Sequence, residues 1–221
     1  MIHIDFETLG TSPTGMIVSL AMVHFPDVGD EEEWAKLLIG GAFETLVENN
    51  SEYIKFELKG QKGVRSFDSE VAAWWKKQGP EASNELLPSP RDVTLADALP
   101  IIEKFFTKHF KPKEDLLYSR GNAFDISLFE DYLLQQKYVP FGLFRFWNVR
   151  DVRTDIGSVL MNRKMDKCHV RKDQLKGFIH HNPVHDCCKD IVMMYFAQQY
   201  SLGHVDYPTQ EESHEVTLDT R

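Results

Sequence analysis

Residues 4–7, Ile-Asp-Phe-Glu, constrain the fold more than any other short stretch of the chain. Side chains alternate between the two faces of a β-strand, so Ile4 and Phe6 should enter a core while Asp5 and Glu7 share the opposite face. Two carboxylates this close repel each other and resist burial unless a cation lies between them. Their hard oxygen atoms suit Mg²⁺ or Mn²⁺ rather than zinc. The stretch predicts either a metal site on a first strand or two ordinary acids on a solvated strand face.

The hydrophobic pattern predicts a run of strands followed by alternating helices and strands. Strands are expected at residues 1–8, 16–25, 43–47, 53–58, 116–119 and 144–149. Helices are expected at residues 68–78, 94–110, from about 124, at 151–160 and at 185–200. This order predicts an α/β fold with one mixed central β-sheet and helices on both sides. Residues 1–203 should form a single domain, and residues 204–221 a polar, acidic tail that is loose or weakly docked.

Composition limits the compartment and the partners. The three cysteines cannot pair evenly, which favours reduced thiols and a cytoplasmic, non-secreted protein. No apolar run approaches the length of a membrane span, so no membrane partner is expected. The net charge of −9 argues against coating a nucleic-acid duplex, but it does not exclude an enzyme whose acids bind metal beside a nucleic acid.

Two further polar motifs follow the first strand. Gly121–Asp125 places an aspartate at a strand-to-helix junction, where α/β sites assemble, although Asp125 could equally cap the helix. His185–Asp190 begins the last helix, and its histidine and final acid could reach one cavity. In isolation, this second motif could be a solvated helix entry.

In this order, Asp5-x-Glu7-Thr8, Asn122-x-x-Asp125 and His185-x-x-x-x-Asp190 resemble the DEDDh family of 3′–5′ exonucleases. The resemblance runs along nearly the whole chain to the exonuclease A proteins of T-even-like bacteriophages. Four segments carry this closer similarity: Lys59–Gly63, Trp74-Trp75, Phe146–Arg153 and His185–Met194. It implies a ribonuclease-H-like three-layer fold and an exonuclease domain over residues 1–203.

The resemblance implies two Mg²⁺ or Mn²⁺ ions held by four acids, Asp5, Glu7, Asp125 and Asp190. His185 would be the general base that takes a proton from the attacking water. The expected reaction releases nucleoside 5′-monophosphates from the 3′ end of a single strand. DNA is the preferred substrate, and the host cytoplasm is the expected location if a phage encodes the chain.

A second histidine–acid pair has the same spacing, because Asp186 follows His181 by five residues. The family pattern has a small residue two positions after the histidine. Cys187 fits that position, whereas Pro183 fits it poorly. The pair His185 and Asp190 is therefore preferred, and His181 is expected to be a loop residue near the substrate.

Aromatic side chains could stack on bases of the substrate, although core packing is the commoner role of such residues. One of Trp74 and Trp75 should be exposed, because neighbours on a helix point in different directions. The residues expected to contact the substrate are Phe6, Thr8, Leu9, Asn122, Phe124, Trp75 and His181.

Three alternatives remain. An exoribonuclease would use the same five residues, and no motif here reads a 2′-hydroxyl group. A zinc module could use the cysteines and histidines between Cys168 and Cys188, but the usual Cys-x₂₋₄-Cys spacing is absent. A non-catalytic nucleic-acid-binding relative should have lost one of the five residues.

Overall fold

The computed structural model describes residues 1–218, apart from the side chains of residues 81 and 82. Within them, a five-stranded sheet has the strand order β3-β2-β1-β4-β5. Strand β2 runs antiparallel to β1 and β3, whereas β1, β4 and β5 are mutually parallel. The strands are β1 (Ile2–Thr8), β2 (Ile17–His24), β3 (Ser51–Lys55), β4 (Leu117–Ser119) and β5 (Val149–Asp151).

Helices cover both faces of this sheet, as the sequence predicts. They are α1 (Glu31–Ile39), α2 (Ala42–Asn49), α3 (Ser69–Trp75), α4 (Pro80–Ser83), α5 (Leu95–His109), α6 (Asp125–Gln135), α7 (Val152–Val159) and α8 (Pro183–Leu202). One core lies between the sheet and α5 and α6, and it contains Ile2, Ile4 and Phe6 of β1. A second core joins the opposite face to α1, α2, α7 and α8. The two faces of β1 therefore differ in chemistry: one is apolar and the other carries Asp5 and Glu7.

Two predicted strands are wrong in whole or in part, and one helix is missing from the prediction. Residues 43–47 belong to helix α2, because its buried residues Ala42, Phe43 and Leu46 recur at helical spacing. Helix α1 was not predicted, although Asp30 caps it by accepting a hydrogen bond from the amide of Glu33. The strand expected at residues 144–149 begins only at its last residue, since residues 146–148 form a 3₁₀ turn.

Part of the C-terminal segment packs against the loop before α8. The amide of His214 donates to the carbonyl of Val170, and the amide of Val170 donates to Oγ1 of Thr217. Ser213 and Thr217 are buried. Residues 219–221 of the predicted tail lie outside the described residues. Among the residues that are described, no helix has both the length and the apolar character needed to cross a membrane.

Candidate active site

Three carboxylates meet where β1 faces the start of α8. Asp5 and Glu7 share one face of β1, and Asp186 lies in the first turn of α8. One oxygen from each lies within 4.8 Å of the other two, and all three side chains are half-buried. This set of hard oxygen donors fits a divalent cation. The structure thus brings together two of the predicted ligands and one acid that was assigned no role.

The electrostatics of the cluster match its geometry. Burial raises the pKa of Asp5 well above its usual range, and the charges of Asp125 and Glu7 raise it further. Burial likewise raises the pKa of Glu7, with Asp186 and Asp125 adding to the effect. Closely packed carboxylates without enough positive charge behave in this way. A bound cation would relieve the repulsion.

The start of α8 explains why Asp186 reaches the cluster. The side chain of Asn182 caps the helix, with its oxygen accepting from the amides of Val184 and His185 at 3.1 and 3.2 Å. Pro183 occupies the first helical turn, where its missing N–H costs nothing. Lys189 Nζ lies 2.5 Å from Asp186 Oδ1 and balances part of the negative charge.

Asp125 lies beside the cluster, at the first residue of α6. Its Oδ1 accepts a 3.3 Å hydrogen bond from the amide of Phe6, which joins the start of α6 to β1. Burial raises the pKa of Asp125 to about 7, although the Phe6 amide and Arg153 oppose that shift. The predicted position at a strand-to-helix junction is confirmed.

Asp190 is not part of the three-carboxylate cluster. Its carboxylate accepts from Nε of Arg120 at 2.8 and 3.0 Å, and Nε2 of His3 lies 3.3 Å away. The side chain is almost fully buried. Asp190 lies one helical turn beyond Asp186, deeper under the sheet, where Arg120 already neutralises it. The geometry therefore favours Asp186 over the predicted Asp190 as the ligand from α8.

The two candidate histidines have different surroundings. Nδ1 of His185 accepts a 2.9 Å hydrogen bond from the amide of Ile179, and its ring packs edge-on against Phe43. Nδ1 of His185, the predicted general base, is therefore engaged by the backbone of the protein itself. His181 lies just before the helix cap in a left-handed backbone conformation, with φ of 57°. Its ring centroid is 4.9 Å from that of Trp74, which is exposed.

Two residues predicted to contact the substrate, Phe6 and Trp75, are buried. Phe6 lies in the core against Phe129, because its place on β1 alternates with the acids. Trp75 is also buried, and its Nε1 donates a 2.9 Å hydrogen bond to the carbonyl of Thr8. Trp74 is 42% exposed, so the prediction that one tryptophan of the pair is exposed is confirmed.

The other predicted contacts lie around the cluster. Thr8 is buried, and its hydroxyl donates to the carbonyl of Gly10 at 2.7 Å. Leu9 is also buried but borders a surface pocket of about 560 Å³. Phe124 packs partly against the α5–α6 core. The side chain of Asn122 hydrogen-bonds Ser119 at 2.9 Å, which holds the loop before Asp125.

Sequence reasoning missed Arg120 and Lys189, the cations that balance these acids. No spacing rule pairs a residue after β4 with one on α8, so Arg120 gave no signal. The Asn182-Pro183 pair did give one: a cap residue followed by proline marks a helix start and places Asp186 in the first turn.

Comparisons with known proteins identify the family of the chain. Residues 1–196 match the Rv2179c-like family, described as a 3′–5′ exoribonuclease domain. The exodeoxyribonuclease of Enterobacteria phage T4 is 34% identical over 230 aligned residues, which cover 99% of this chain and 97% of that protein.

Solved structures of E. coli exonuclease I share the fold. Its complex with a dA16 oligonucleotide has a TM-score of 0.55 at 13% identity, and its zinc-bound complex with single-stranded DNA has a TM-score of 0.53 at 14% identity. These matches cover 92% and 91% of this chain but only 43% and 40% of those structures. The predicted ribonuclease-H-like architecture is confirmed. The activity of this protein is that of a 3′–5′ exonuclease, and the chain belongs to the Rv2179c-like 3′–5′ exoribonuclease domain family.

Proposed function

We propose that the protein hydrolyses single-stranded DNA from its 3′ end to nucleoside 5′-monophosphates. Asp5, Glu7, Asp125 and Asp186 would hold two Mg²⁺ or Mn²⁺ ions, and His181 would be the general base. The observation that carries this proposal is the convergence of Asp5, Glu7 and Asp186 within 4.8 Å. Asp186 replaces Asp190, whose carboxylate accepts from Arg120, and His181 replaces His185, whose Nδ1 accepts from a backbone amide.

The four carboxylates have separate tasks in this mechanism. When bound, the metal pair stabilises the attacking and leaving oxygens of an in-line displacement at phosphorus. Asp5 and Glu7 present their oxygens from a rigid strand, whereas Asp186 closes the site from α8. Asp125 is held by the Phe6 amide, which fixes its direction toward β1.

His181 suits proton transfer because of where it lies. It precedes the helix cap, outside the hydrogen-bonded turns of α8, and its ring is half-buried beside Trp74. Trp74 is exposed and adjacent, so it is the better candidate for stacking on the terminal base than the buried Trp75. The other predicted contacts, Thr8, Leu9, Asn122 and Phe124, remain part of the proposed substrate surface.

The T4 relative and the matching family differ in the nucleic acid that their names specify, DNA or RNA. A relative named exodeoxyribonuclease aligns with 99% of the chain, which supports DNA. The family description names an exoribonuclease, which supports RNA as the alternative substrate. Parallel digestion of matched DNA and RNA strands decides between them, and faster release of nucleotides from the RNA strand would reverse our choice.

The free, buried cysteines support action in a reducing cytoplasm, which is that of the host if a phage encodes the chain.

The deciding experiment uses a single strand labelled near its 3′ end, with Mg²⁺ or Mn²⁺ and with chelator. Wild-type protein should release the terminal nucleotide only with metal. Asp186→Asn should lower kcat at least about 100-fold, because it removes a carboxylate ligand. His181→Ala should lower kcat by about 100-fold or more.

The control variants are His185→Gln and Asp190→Asn. They replace the two residues to which the sequence analysis assigned the roles of general base and metal ligand. Both should retain kcat within several-fold once the folded fraction is measured by circular dichroism. Loss of activity in folded Asp190→Asn, with activity retained in Asp186→Asn, would contradict the proposed ligand set.

A further inference from the structure

We propose that the outer edge of β5 binds the single strand upstream of the 3′ end, as a surface separate from the three-carboxylate cluster. This inference rests on the proposed function. The surface, named here the β5 surface, consists of Phe146, Trp147, Arg150, Arg153, Arg163 and Lys164.

Exposed aromatic rings begin the β5 surface. Phe146 is 79% exposed and Trp147 51% exposed, with ring centroids 4.8 Å apart. Phe141, beside them, is capped by the guanidinium of Arg145 at 3.3 Å from its ring centroid. Exposing two neighbouring large rings costs solvation free energy, and sequence-tolerant base stacking is one use of such rings.

The aromatic turn is rigid. Asn148 is buried, and its amide nitrogen donates to the carbonyls of Pro112 and Asp115 at 3.0 and 2.7 Å. Its oxygen accepts from the amide of Arg145 at 2.7 Å. These bonds fix the turn that carries Phe146 and Trp147 against the body of the protein, so little ordering would be needed on binding.

The β5 surface is basic in an acidic protein. Four of its six residues are cations, Arg150, Arg153, Arg163 and Lys164, although the whole chain has a net charge of −9. Arg150 is exposed and donates to the carbonyl of Trp147, so its charge lies beside the rings. Arg153, Arg163 and Lys164 line a depression of about 370 Å³ together with Asp166, whose Oδ2 lies 3.7 Å from Nε of Arg153. A single nucleic-acid strand has an anionic phosphate backbone beside bases that can stack, so it matches this combination of cations and aromatic rings.

The β5 surface leads to the carboxylates. Strand β5 is an edge strand, and Asp151 at its end has Oδ2 3.5 Å from the amide of Asn122. Arg153 donates to the carbonyl of Arg120, and a Cβ placed on Gly121 would lie 3.3 Å from Nη1 of Arg153 and 3.6 Å from Oδ2 of Asp125. Val149–Asp151 are extended and rise on the order of 10 Å. The 3₁₀ turn that carries the rings precedes them at the amino end of β5. A strand with its 3′ end at the cluster could therefore continue along β5.

Binding and cleavage can be tested separately. Fluorescence anisotropy in chelator compares labelled single strands of about 3 and about 12 nucleotides. The double variant Phe146→Ala, Trp147→Ala should weaken binding of the longer strand about tenfold and that of the shorter less than about twofold, since only the longer strand reaches the rings. Arg163→Ala with Lys164→Ala should reduce the salt-dependence slope for the longer strand by about 1.4.

Arg91→Ala is the matched control. Arg91 is also exposed, but it lies in the loop whose Val93 pairs with Phe56 beside the opposite edge of the sheet. It should bind both strands as wild type does. If instead the loss of any exposed positive charge weakened binding of the longer strand equally, Arg91→Ala would bind as weakly as the β5 variants, and the inference would be wrong.

Two other outcomes are decisive. If wild-type protein digests 3′-labelled strands while the β5 variants bind the longer strand normally, the inference is wrong and the proposed function stands; the rings would then serve a protein partner. If wild-type protein digests no strand with Mg²⁺ or Mn²⁺, the proposed function fails and the inference fails with it.

Discussion

Nε of Arg120 lies within hydrogen-bonding distance of both carboxylate oxygens of Asp190, at 2.8 and 3.0 Å. Burial opposes the charge of Asp190, but Arg120, His3 and Lys189 outweigh it and hold the pKa of Asp190 below its usual range. An acid that is fully compensated by the chain has little need of a metal ion. Asp186 forms an ion pair with Lys189 and faces two further carboxylates.

Replacing Asp190 by alanine should destabilise the protein by about 3–5 kcal/mol, because it leaves the Arg120 charge buried and unpaired. Urea unfolding followed by circular dichroism measures the change. Adding Arg120→Met to Asp190→Ala should recover part of the loss, since the double variant removes both charges. A single variant within about 1 kcal/mol of wild type would contradict the pair's role.

Trp75→Phe should lower the free energy of unfolding by about 2–3 kcal/mol, since it removes the bond to the Thr8 carbonyl and leaves a small cavity. Trp74→Phe is the matched control and should change stability by less than about 0.5 kcal/mol, because Trp74 is 42% exposed. Thermal and urea unfolding of both variants provide the comparison. Equal losses in the two variants would mean that the Thr8 contact adds nothing.

His24 should make the protein less stable in mild acid. Burial, with help from the N-terminal ammonium group and His109, lowers the pKa of His24 from 6.5 to about 4. Between these values the unfolded chain takes up a proton that the folded chain does not, so the free energy of unfolding falls as the pH falls. His24→Gln should flatten this dependence between pH 6.5 and 4. If the free energy of unfolding of the wild type and of His24→Gln changed equally with pH, the pH dependence would not come from His24.

Gly157→Ala should destabilise the protein by about 1–3 kcal/mol, since a Cβ there would lie 2.7 Å from the carbonyl oxygen of Met165 and 3.1 Å from that of Asn162. Both contacts are to backbone, which yields less readily than a side chain. Gly79→Ala is the control, because a Cβ at Gly79 meets no atom within 4 Å. Differential scanning calorimetry should show a lower Tm for Gly157→Ala alone.

Local patterns predicted the centre of the sheet well. The alternation in β1 separated core from acids, and the run from Ile17 to His24 is strand β2. Helix α2 was mistaken for a strand, because a short apolar run such as Phe43–Val47 has no decisive period of its own. Tertiary packing of its buried face on α8 decided the outcome.

The site was predictable in part for the same reason. Asp5, Glu7 and Asp125 follow from strand alternation and from the position after β4. The choice between Asp186 and Asp190 depended on Arg120, which is 70 positions away in the sequence from Asp190. Contacts of that kind arise only from the folded topology. The helix start at Asn182 and Pro183 could have been read locally, and it would have favoured Asp186.

The two-residue repeat of β1 ties chemistry to folding. Ile2, Ile4 and Phe6 anchor the strand on one side, and the acids alternate with them on the other. Inserting a single residue immediately before Asp5 would turn both carboxylates toward the apolar core and would turn Phe6, the anchor that follows the insertion, toward the charged face. An insertion in this strand would therefore disrupt the core and the carboxylate cluster at the same time. Evolution along β1 is therefore confined to replacements that keep its length.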